Sequence, residues 1–357
     1  MRVEIRGFEP KDYARIVEIS NLLYAPHRWT EDEARYEDEH FDKKYFFRRW
    51  VAEDPASREV VAAGELNHMP WSYHPQKFWM DLQVHPGWQR RGIGQTMYDK
   101  LSAELQSQNA IVIRTSAQES KTDSVRWIER RGFVEKMRNW ESHLDVSAVD
   151  VTKFAKRKVV PAGIEIVTLK DEGAEDSECL RAVFDMVNEI GPDIPNPDVY
   201  TASTFDMFLS GIRSPDSLHE GYFLAKAGDR YVGISNLWRS EGSPDVLYQG
   251  LTGVLREYRG RGLAWALKMR TIAFARDRGY RQIRTWNNTM NRHILNINEA
   301  LGFVKQPVWI TFQKDLAPGG ATLTRQLPFL HVQGGPLDIG RQHGRAARSS
   351  IAENVGM

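Results

Sequence analysis

The sequence predicts a mixed α/β fold built as two tandem copies of one unit, and internal repetition is the main observation behind this prediction. The stretch "QRRGIG" at 89–94 resembles "RGRGLA" at 259–264, which lies 170 residues later. The same offset relates two further matches, the "IRT" tripeptides at 113–115 and 283–285 and the "GF" dipeptides that end at Phe133 and Phe303. Three matches at one offset predict two copies of the same fold.

Each copy is expected to contain a strand, a turn, a helix, a second strand and a second helix. In the first copy these are "FWMDLQV", a turn, a helix with Ile93, Met97, Leu101 and Leu105 at helical spacing, "AIVIRTS", and a helix that Gly132 ends. In the second copy they are "VLYQGLTGV", a turn, a helix with Leu263, Ala266, Leu267 and Phe274, "YRQIRTW", and "RHILNINEAL" before Gly302. Short apolar runs rich in β-branched residues favour strands, and a 3.6-residue period favours helices.

The two copies are joined by a stretch with the character of a linker. Residues 146–163 show little periodicity, carry a basic cluster and end in Pro-Ala-Gly. Such a composition is typical of a connection between domains. We therefore predict an N-terminal domain at 1–145, a linker at 146–163, a C-terminal domain at 164–318 and a tail at 319–357.

Composition limits the classes of function. The net charge of the 357-residue chain is +1, which argues against a broad nucleic-acid interface. The single cysteine, Cys179, excludes an internal disulfide and is predicted to be a buried helical thiol. No stretch approaches the roughly 18 apolar residues of a transmembrane helix, and the N-terminus lacks the apolar core of a signal peptide. We expect a cytoplasmic protein with no membrane or nucleic-acid partner and no metal site.

The turn before the first long helix of each copy predicts an anion site. A helix N-terminus presents unpaired N–H groups and a partial positive charge, glycine permits close approach, and arginine offers forked donors. The candidate residues are Gln89, Arg90, Arg91, Gly92, Ile93 and Gly94 in the first copy, and Arg256, Arg259, Gly260, Arg261, Gly262, Leu263 and Ala264 in the second. A basic turn that binds nothing is the alternative for one copy, but two copies favour a phosphate ligand.

Two familiar phosphate motifs are excluded. Neither turn contains the Gly-Lys-Ser/Thr of a P-loop. A dinucleotide-binding turn requires a third glycine, and Met97 and Leu267 stand at the corresponding positions. In their strand-turn-helix context, the two turns instead resemble the Arg/Gln-x-x-Gly-x-Gly/Ala motif of the GNAT family of acetyl-CoA-dependent N-acetyltransferases.

This resemblance implies two tandem GNAT acyl-CoA N-acyltransferase domains, each a twisted mixed sheet flanked by helices, in a layout similar to that of mycothiol synthase. It implies that acetyl-CoA is the cosubstrate, with its pyrophosphate on the turn and its pantetheine arm between two splayed strands. Backbone groups of Val84, or of Val254 and Leu255, would pair with that arm like an added strand. Asn291, at the start of the last helix, would contact it.

The catalytic residues are harder to assign. The family often places a tyrosine four residues before the glycine of the final Gly-Phe, where it protonates the thiolate, but here these positions hold Ile128 and Asn298. Tyr248, on the central strand of the second copy, and Asp81, on the matching strand of the first, are candidate acid and base. The alternatives are a packed strand tyrosine and a solvated strand-end aspartate.

The leading interpretation is acetyl transfer to a primary amine of a small molecule by direct attack in a ternary complex, by a monomer or homodimer. The second copy is expected to be the main catalytic unit and to have the tighter cradle. A non-catalytic acyl-CoA-binding sensor or scaffold and a protein N-acetyltransferase are the alternatives. In the tail, "GGPLDIGRQHGRAARSSI" resembles the opening of penicillin acyltransferase-like hydrolases. We therefore expect the tail to be the stub of a truncated third domain that carries no chemistry.

Overall fold

The computed structural model describes residues 3–154 and 159–316, and within them each copy contains the predicted order of strand, turn, helix, strand and helix. The strands are β1 (Glu4–Gly7), β2 (Phe47–Glu53), β3 (Val60–Asn67), β4 (Lys77–Val84), β5 (Val112–Gln118), β6 (Val134–Asp145), β7 (Glu165–Thr168), β8 (Ser217–Ala227), β9 (Arg230–Arg239), β10 (Val246–Val254), β11 (Gln282–Asn288), β12 (Val304–Lys305) and β13 (Trp309–Asp315). The helices are α1 (Tyr13–Leu23), α2 (Glu31–Glu39), α3 (Ile93–Ser107), α4 (Thr122–Glu129), α5 (Ser177–Ile190), α6 (Phe205–Arg213), α7 (Leu263–Asp277) and α8 (Arg292–Leu301). The predicted mixed α/β class is confirmed.

Contacts between residues divide the described chain into two units. The first consists of 3–139 and 307–316, and the second of 140–154 and 159–306. The tail predicted at 319–357 lies outside the described residues, so its interpretation as a stub stays a prediction.

The sheet of the first unit has the strand order β1-β2-β3-β4-β5-β13-β6. Its pairs are antiparallel except for β4 with β5, which run parallel. On one face, α1 packs against β2 and β3 through Ile16, Val51 and Ala63. On the other face, α3 lies so close to β3 that a Cβ on Gly64 would stand 2.8 Å from the Met97 side chain.

The sheet of the second unit repeats this plan, with the order β7-β8-β9-β10-β11-β6 and β12 paired with β6. Again one central pair, β10 with β11, is parallel. Leu180, Val183 and their neighbours on α5 pack in one apolar cluster with β8 and β9. Residues of α7 and α8 form a second cluster with Leu247 and Ile283.

The strand β6 belongs to both units. Its residues 134–139 pair with β13 in the first unit, while Ser142 and His143 pair with β12 in the second. β13, near the end of the described chain, inserts between β5 and β6 and pairs with β5 from Val112 to Gln118. The first unit therefore includes a strand at 307–316, which lies outside the boundaries of 1–145 expected for the N-terminal domain.

The acidic helix α2 begins with a capping box. Thr30 accepts a hydrogen bond from the Glu33 amide, and the Glu33 carboxylate accepts one from the Thr30 amide. This reciprocal capping satisfies two N–H groups at the helix N-terminus. None of the described helices combines the length and apolar character that a bilayer-spanning helix needs.

Candidate functional site

A V-shaped opening forms in the second unit where β10 separates from β11. The two strands are in register only from Val246 to Tyr248 of β10, whereas β10 continues to Val254. Between Gln249 and Thr252 the register with β9 shifts as well, which marks a β-bulge. Parallel strands that part in this way leave backbone groups facing a gap, where an extended ligand can pair with them.

The first unit has the same opening. Its strands β4 and β5 are in register only from Lys77 to Trp79 of β4, although β4 continues to Val84. Here the pairing of β4 with β3 is unbroken. The bulge therefore makes the end of β10 that follows Tyr248, up to Val254, one residue longer than the end of β4 that follows Trp79, up to Val84.

Each opening leads to the predicted anion-binding turn. Gly92 and Gly262 are the N-cap residues of α3 and α7, with φ angles of 82° and 81° in the left-handed region. A Cβ at either position would meet nothing within 4 Å, so glycine is required by the backbone angle and not by crowding. The space beside the helix N-terminus is open, as a phosphate site requires.

The two turns are held by equivalent hydrogen bonds. Gln89 Nε2 donates to the carbonyl of Val84 at 3.1 Å, and Arg259 Nε donates to the carbonyl of Val254 at 2.8 Å. Both side chains thus tie the turn to the last residue of the preceding strand. Gln89 and Arg259 were predicted as ligand-binding residues, and the structure gives them this positioning role in addition.

Arg91 and Arg261 also occupy matching positions. Each donates through Nη2 to a carbonyl four residues earlier, Arg91 to Gly87 and Arg261 to Glu257, at 2.9 Å in both cases. The two turns differ at the position just before this arginine. There Arg90 of the first unit adopts a φ of 64°, where the second unit has Gly260.

Asp193 distinguishes the second turn from the first. It follows α5, and its carboxylate accepts hydrogen bonds from Arg256 Nε at 2.8 Å and from Arg259 Nη2 at 2.5 Å. The hydrogen bond from Arg256 is the main cause that lowers the pKa of Asp193. An anion at this turn therefore meets arginines that already have an anionic partner, which opposes the expectation that the second cradle binds more tightly.

Asn291 is the N-cap of α8 and is almost buried. Its Oδ1 atom accepts a hydrogen bond from the Ile294 amide at 3.4 Å. In the first unit the N-cap of α4 is Lys121, whose side chain makes no capping bond. The oxygen of Asn291 thus serves the helix, and the amide nitrogen is the part of the side chain suited to a ligand carbonyl.

Tyr248 lies at the apex of the opening, inside an aromatic stack. Its ring lies 4.3 Å from Trp238 and 5.9 Å from Trp286, measured between centroids, with interplanar angles of 16° and 6°. All three side chains are buried. This geometry agrees with the alternative of a packed strand tyrosine, although Tyr248 is also the last β10 residue paired with β11.

Asp81 is buried, so its interpretation as a solvated strand-end aspartate is wrong. Gln83 Nε2 donates to Asp81 Oδ2 at 3.4 Å. In the backbone register of β3 and β4, Asp81 lies directly opposite Glu65. Glu65 in turn accepts from Arg49 at 2.7 Å, which also contacts Asp38 at 2.7 Å. Asp81 therefore stands beside a buried charged network that links β2, β3 and α2.

Sequence reasoning missed a buried amide pair in the second unit. Asn298 Nδ2, on α8, donates to Asn287 Oδ1, on β11, at 2.6 Å, and each side chain is 1% exposed. At the matching positions the first unit has Ala117 and Ile128. Comparing the two copies position by position for a change from apolar to polar would have found the pair.

The residues fit a coenzyme with a phosphate group and an extended polar arm. The open, glycine-capped helix N-termini accept the first, and the splayed strands with nearby buried polar atoms accept the second. Within the described residues, no group of three or more His, Cys, Asp or Glu side chains is arranged to hold a metal ion.

Comparison with known proteins identifies the class as acyltransferases. A model of the acetyltransferase (GNAT) family matches residues 16–133 and, a second time, 184–303. The chain belongs to the GNAT acetyltransferase family and contains its domain twice. A sequence search of curated proteins gives no significant match.

Similar solved structures, one of them a tandem GNAT protein, confirm the fold. A tandem GNAT protein from the clavulanic acid biosynthesis pathway, solved without acetyl-CoA, is 19% identical, with a TM-score of 0.72 over 90% of this chain and 100% of that one. A GCN5-related N-acetyltransferase from Sphaerobacter thermophilus is also 19% identical, with a TM-score of 0.66 over 91% and 98%. The glucosamine N-acetyltransferase region of a fungal multi-domain β-N-acetylglucosaminidase is 12% identical, with a TM-score of 0.60 over 87% of this chain and 38% of that one.

Proposed function

We propose that the protein transfers the acetyl group of acetyl-CoA to a primary amine of a small molecule. One observation carries this proposal: in each unit, a pair of strands that separate is followed directly by a helix whose N-cap is glycine. Acetyl-CoA supplies an acyl group activated as a thioester. The family match and the open turns support this donor, and glucosamine, the acceptor in the name of one structural neighbour, is a small amine.

The second unit offers one set of donor-binding groups. We propose that the N–H groups at the start of α7, with Arg261 and Gly262, bind the pyrophosphate, and the left-handed N-cap glycine supports this proposal. We propose that the end of β10 at Val254 and the amide of Asn291 contact the pantetheine arm. The first unit repeats the turn at 89–94 but has Lys121 in place of Asn291.

Direct attack by the amine is favoured over a covalent acyl-enzyme. Cys179 is the only cysteine in the sequence, and it lies on α5, half-buried, with Sγ 3.3 Å from the Tyr231 hydroxyl. Burial raises the pKa of this thiol, so the nucleophilic thiolate is disfavoured. A cysteine with these properties is unsuited to carry the acyl group.

Two side chains are proposed to move protons. We propose that Tyr248, the last β10 residue in register with β11, protonates the leaving thiolate. We propose that Asp81, a buried residue of β4 beyond its pairing with β5, takes a proton from an amine in the first unit. Each role belongs to its own unit, so the other proton transfer in that unit uses solvent: water takes the amine proton in the second unit, and water protonates the leaving thiolate in the first.

A non-catalytic acyl-CoA-binding protein is the second candidate. Ile128 occupies the position of the family's acid in the first unit, which cannot protonate a thiolate there. This observation favours binding without transfer for that unit.

Thiol release separates the two candidates. The protein is mixed with acetyl-CoA and a panel of small primary amines, and free thiol is measured over time. We expect at least one amine to accelerate release well above the rate without amine. Slow release that no amine accelerates would favour the binding protein. The Gly92→Asp and Gly262→Asp variants then show which unit supports the reaction.

A further inference from the structure

The second unit buries four polar side chains next to its opening, here called the inner polar cluster. Its members are Gln249 on β10, Thr271 on α7, Asn287 on β11 and Asn298 on α8. Each is only 1% exposed. The Thr271 hydroxyl lies 3.1 Å from Gln249 Oε1 and 2.8 Å from the Lys268 carbonyl, and its single proton can be donated to either of these oxygens.

The first unit shows that the fold does not require these polar residues. Ile113 and Ile283 are equivalent in the two units, and they pair with Phe78 of β4 and Leu247 of β10. Two residues further along these strands, Met80 of the first unit is therefore equivalent to Gln249 of the second. By the offset of 170 residues, the other three places hold apolar side chains, Leu101, Ala117 and Ile128. All four apolar residues are fully buried. Polar groups in a core cost stability unless they are hydrogen-bonded, and Asn287 and Asn298 each keep a polar atom without a hydrogen bond among the described residues, so this pair indicates a use other than packing.

The amide pair of the cluster has unused hydrogen-bonding capacity. Asn298 Nδ2 donates to Asn287 Oδ1, but Asn287 Nδ2 and Asn298 Oδ1 make no hydrogen bond among the described residues. Turning both amides over would exchange the roles and still leave one donor and one acceptor open. Thr285 Oγ1, two residues before Asn287 on the same face of β11, is likewise without a hydrogen bond in the described chain.

We propose that Asn287 and Asn298 bind a secondary amide of the acyl donor's arm and thereby make the second unit the principal donor-binding unit. This inference rests on the proposed function. A secondary amide presents one N–H and one carbonyl, which match the open acceptor and donor of the pair. Asn287 lies three residues beyond Arg284, the last β11 residue in register with β10, so the pair borders the opening. Asn298 is a positioning residue, because its amide holds the donor but cannot act as an acid.

The test replaces the pair with the residues of the first unit. The double variant Asn287→Ala/Asn298→Ile is prepared in a Gly92→Asp background, so that only the second cradle is titrated. We expect the acetyl-CoA Kd to rise at least tenfold and the midpoint of thermal unfolding to stay the same or increase. Adenosine 3′,5′-bisphosphate, which lacks the arm, should bind the variant and its parent equally. Leu301→Met, a change of similar volume on α8, is the control and should leave both affinities unchanged.

The outcomes separate the inference from the proposed function. If the double variant is folded and binds acetyl-CoA as tightly as its parent, the amide pair is structural and the inference is overturned. If the double variant fails to fold, Asn287→Ala alone removes the open donor, and an unchanged acetyl-CoA affinity then overturns the inference. The proposed function fails independently, when the wild-type protein itself binds no acetyl-CoA.

Discussion

Replacing Gly262 with aspartate tests the assignment of the second cradle. The residue is the N-cap of α7 with a φ of 81°, and a side chain there enters open space. Left-handed backbone costs a non-glycine residue about 1–2 kcal/mol, so the protein should remain folded. The new carboxylate would lie roughly 5 Å from a bound pyrophosphate, and at an effective dielectric constant of about 20 each pair of unit charges repels by about 3 kcal/mol before screening by salt.

Screening at the exposed helix N-terminus reduces this repulsion, and we expect the second site to lose about 10- to 100-fold in acetyl-CoA affinity, or roughly 1.4–2.8 kcal/mol. Titration calorimetry at low and high salt measures the loss, which should shrink as salt increases. Gly262→Ala carries the same backbone strain without the charge and is the matched control. Gly92→Asp should weaken only the first site. The cradle assignment is refuted if Gly262→Asp and Gly262→Ala bind acetyl-CoA equally well.

Three further perturbations follow from the geometry. Asp193→Asn removes the anionic partner of two cradle arginines, and acetyl-CoA should bind about two- to fivefold more tightly in calorimetry. Tyr248→Phe keeps the ring stack and should lower the rate of thiol release roughly 100-fold with little change in Kd. His68 accepts from the Phe46 amide through Nδ1, with Nε2 3.2 Å from the Pro75 carbonyl, and burial lowers its pKa, so the free energy of unfolding should fall as the pH drops below about 6.5.

Each of these has an outcome that would contradict it. Weaker binding by Asp193→Asn would show that the carboxylate orients the arginines instead of competing with the ligand. Full turnover by Tyr248→Phe would leave the tyrosine as packing only. Because the pKa of His68 is lowered in the folded protein, the folded state binds fewer protons than the unfolded state, and acid must destabilise the fold. His68→Gln should therefore flatten the profile of the urea midpoint between about pH 8 and pH 5.5. An unchanged slope would exclude His68 as the cause.

The repeat made the architecture predictable. Matches at one offset, each in a strand-turn-helix setting, were enough to predict tandem GNAT domains, and the family match confirms this. The glycines of the turns were informative because Gly92 and Gly262 need a backbone conformation that other residues avoid.

The sheet that β13 joins was not predictable in the same way. β13 pairs with β5, about 200 residues earlier in the chain, and nothing in a short apolar strand specifies which sheet it joins. The ion pairs of Asp193 with Arg256 and Arg259 also join residues more than 60 positions apart. Such contacts depend on tertiary packing and leave no local pattern in the sequence.

The most direct test of the central claim is mass spectrometry of a reaction mixture that contains the protein, acetyl-CoA and an amine selected by thiol release. The account predicts that the amine gains the mass of one acetyl group, that free CoA forms in equal amount, and that the intact protein keeps its mass throughout. An acetylated protein that accumulates before the product would contradict direct attack. Bound acetyl-CoA that no amine consumes would contradict the transferase itself.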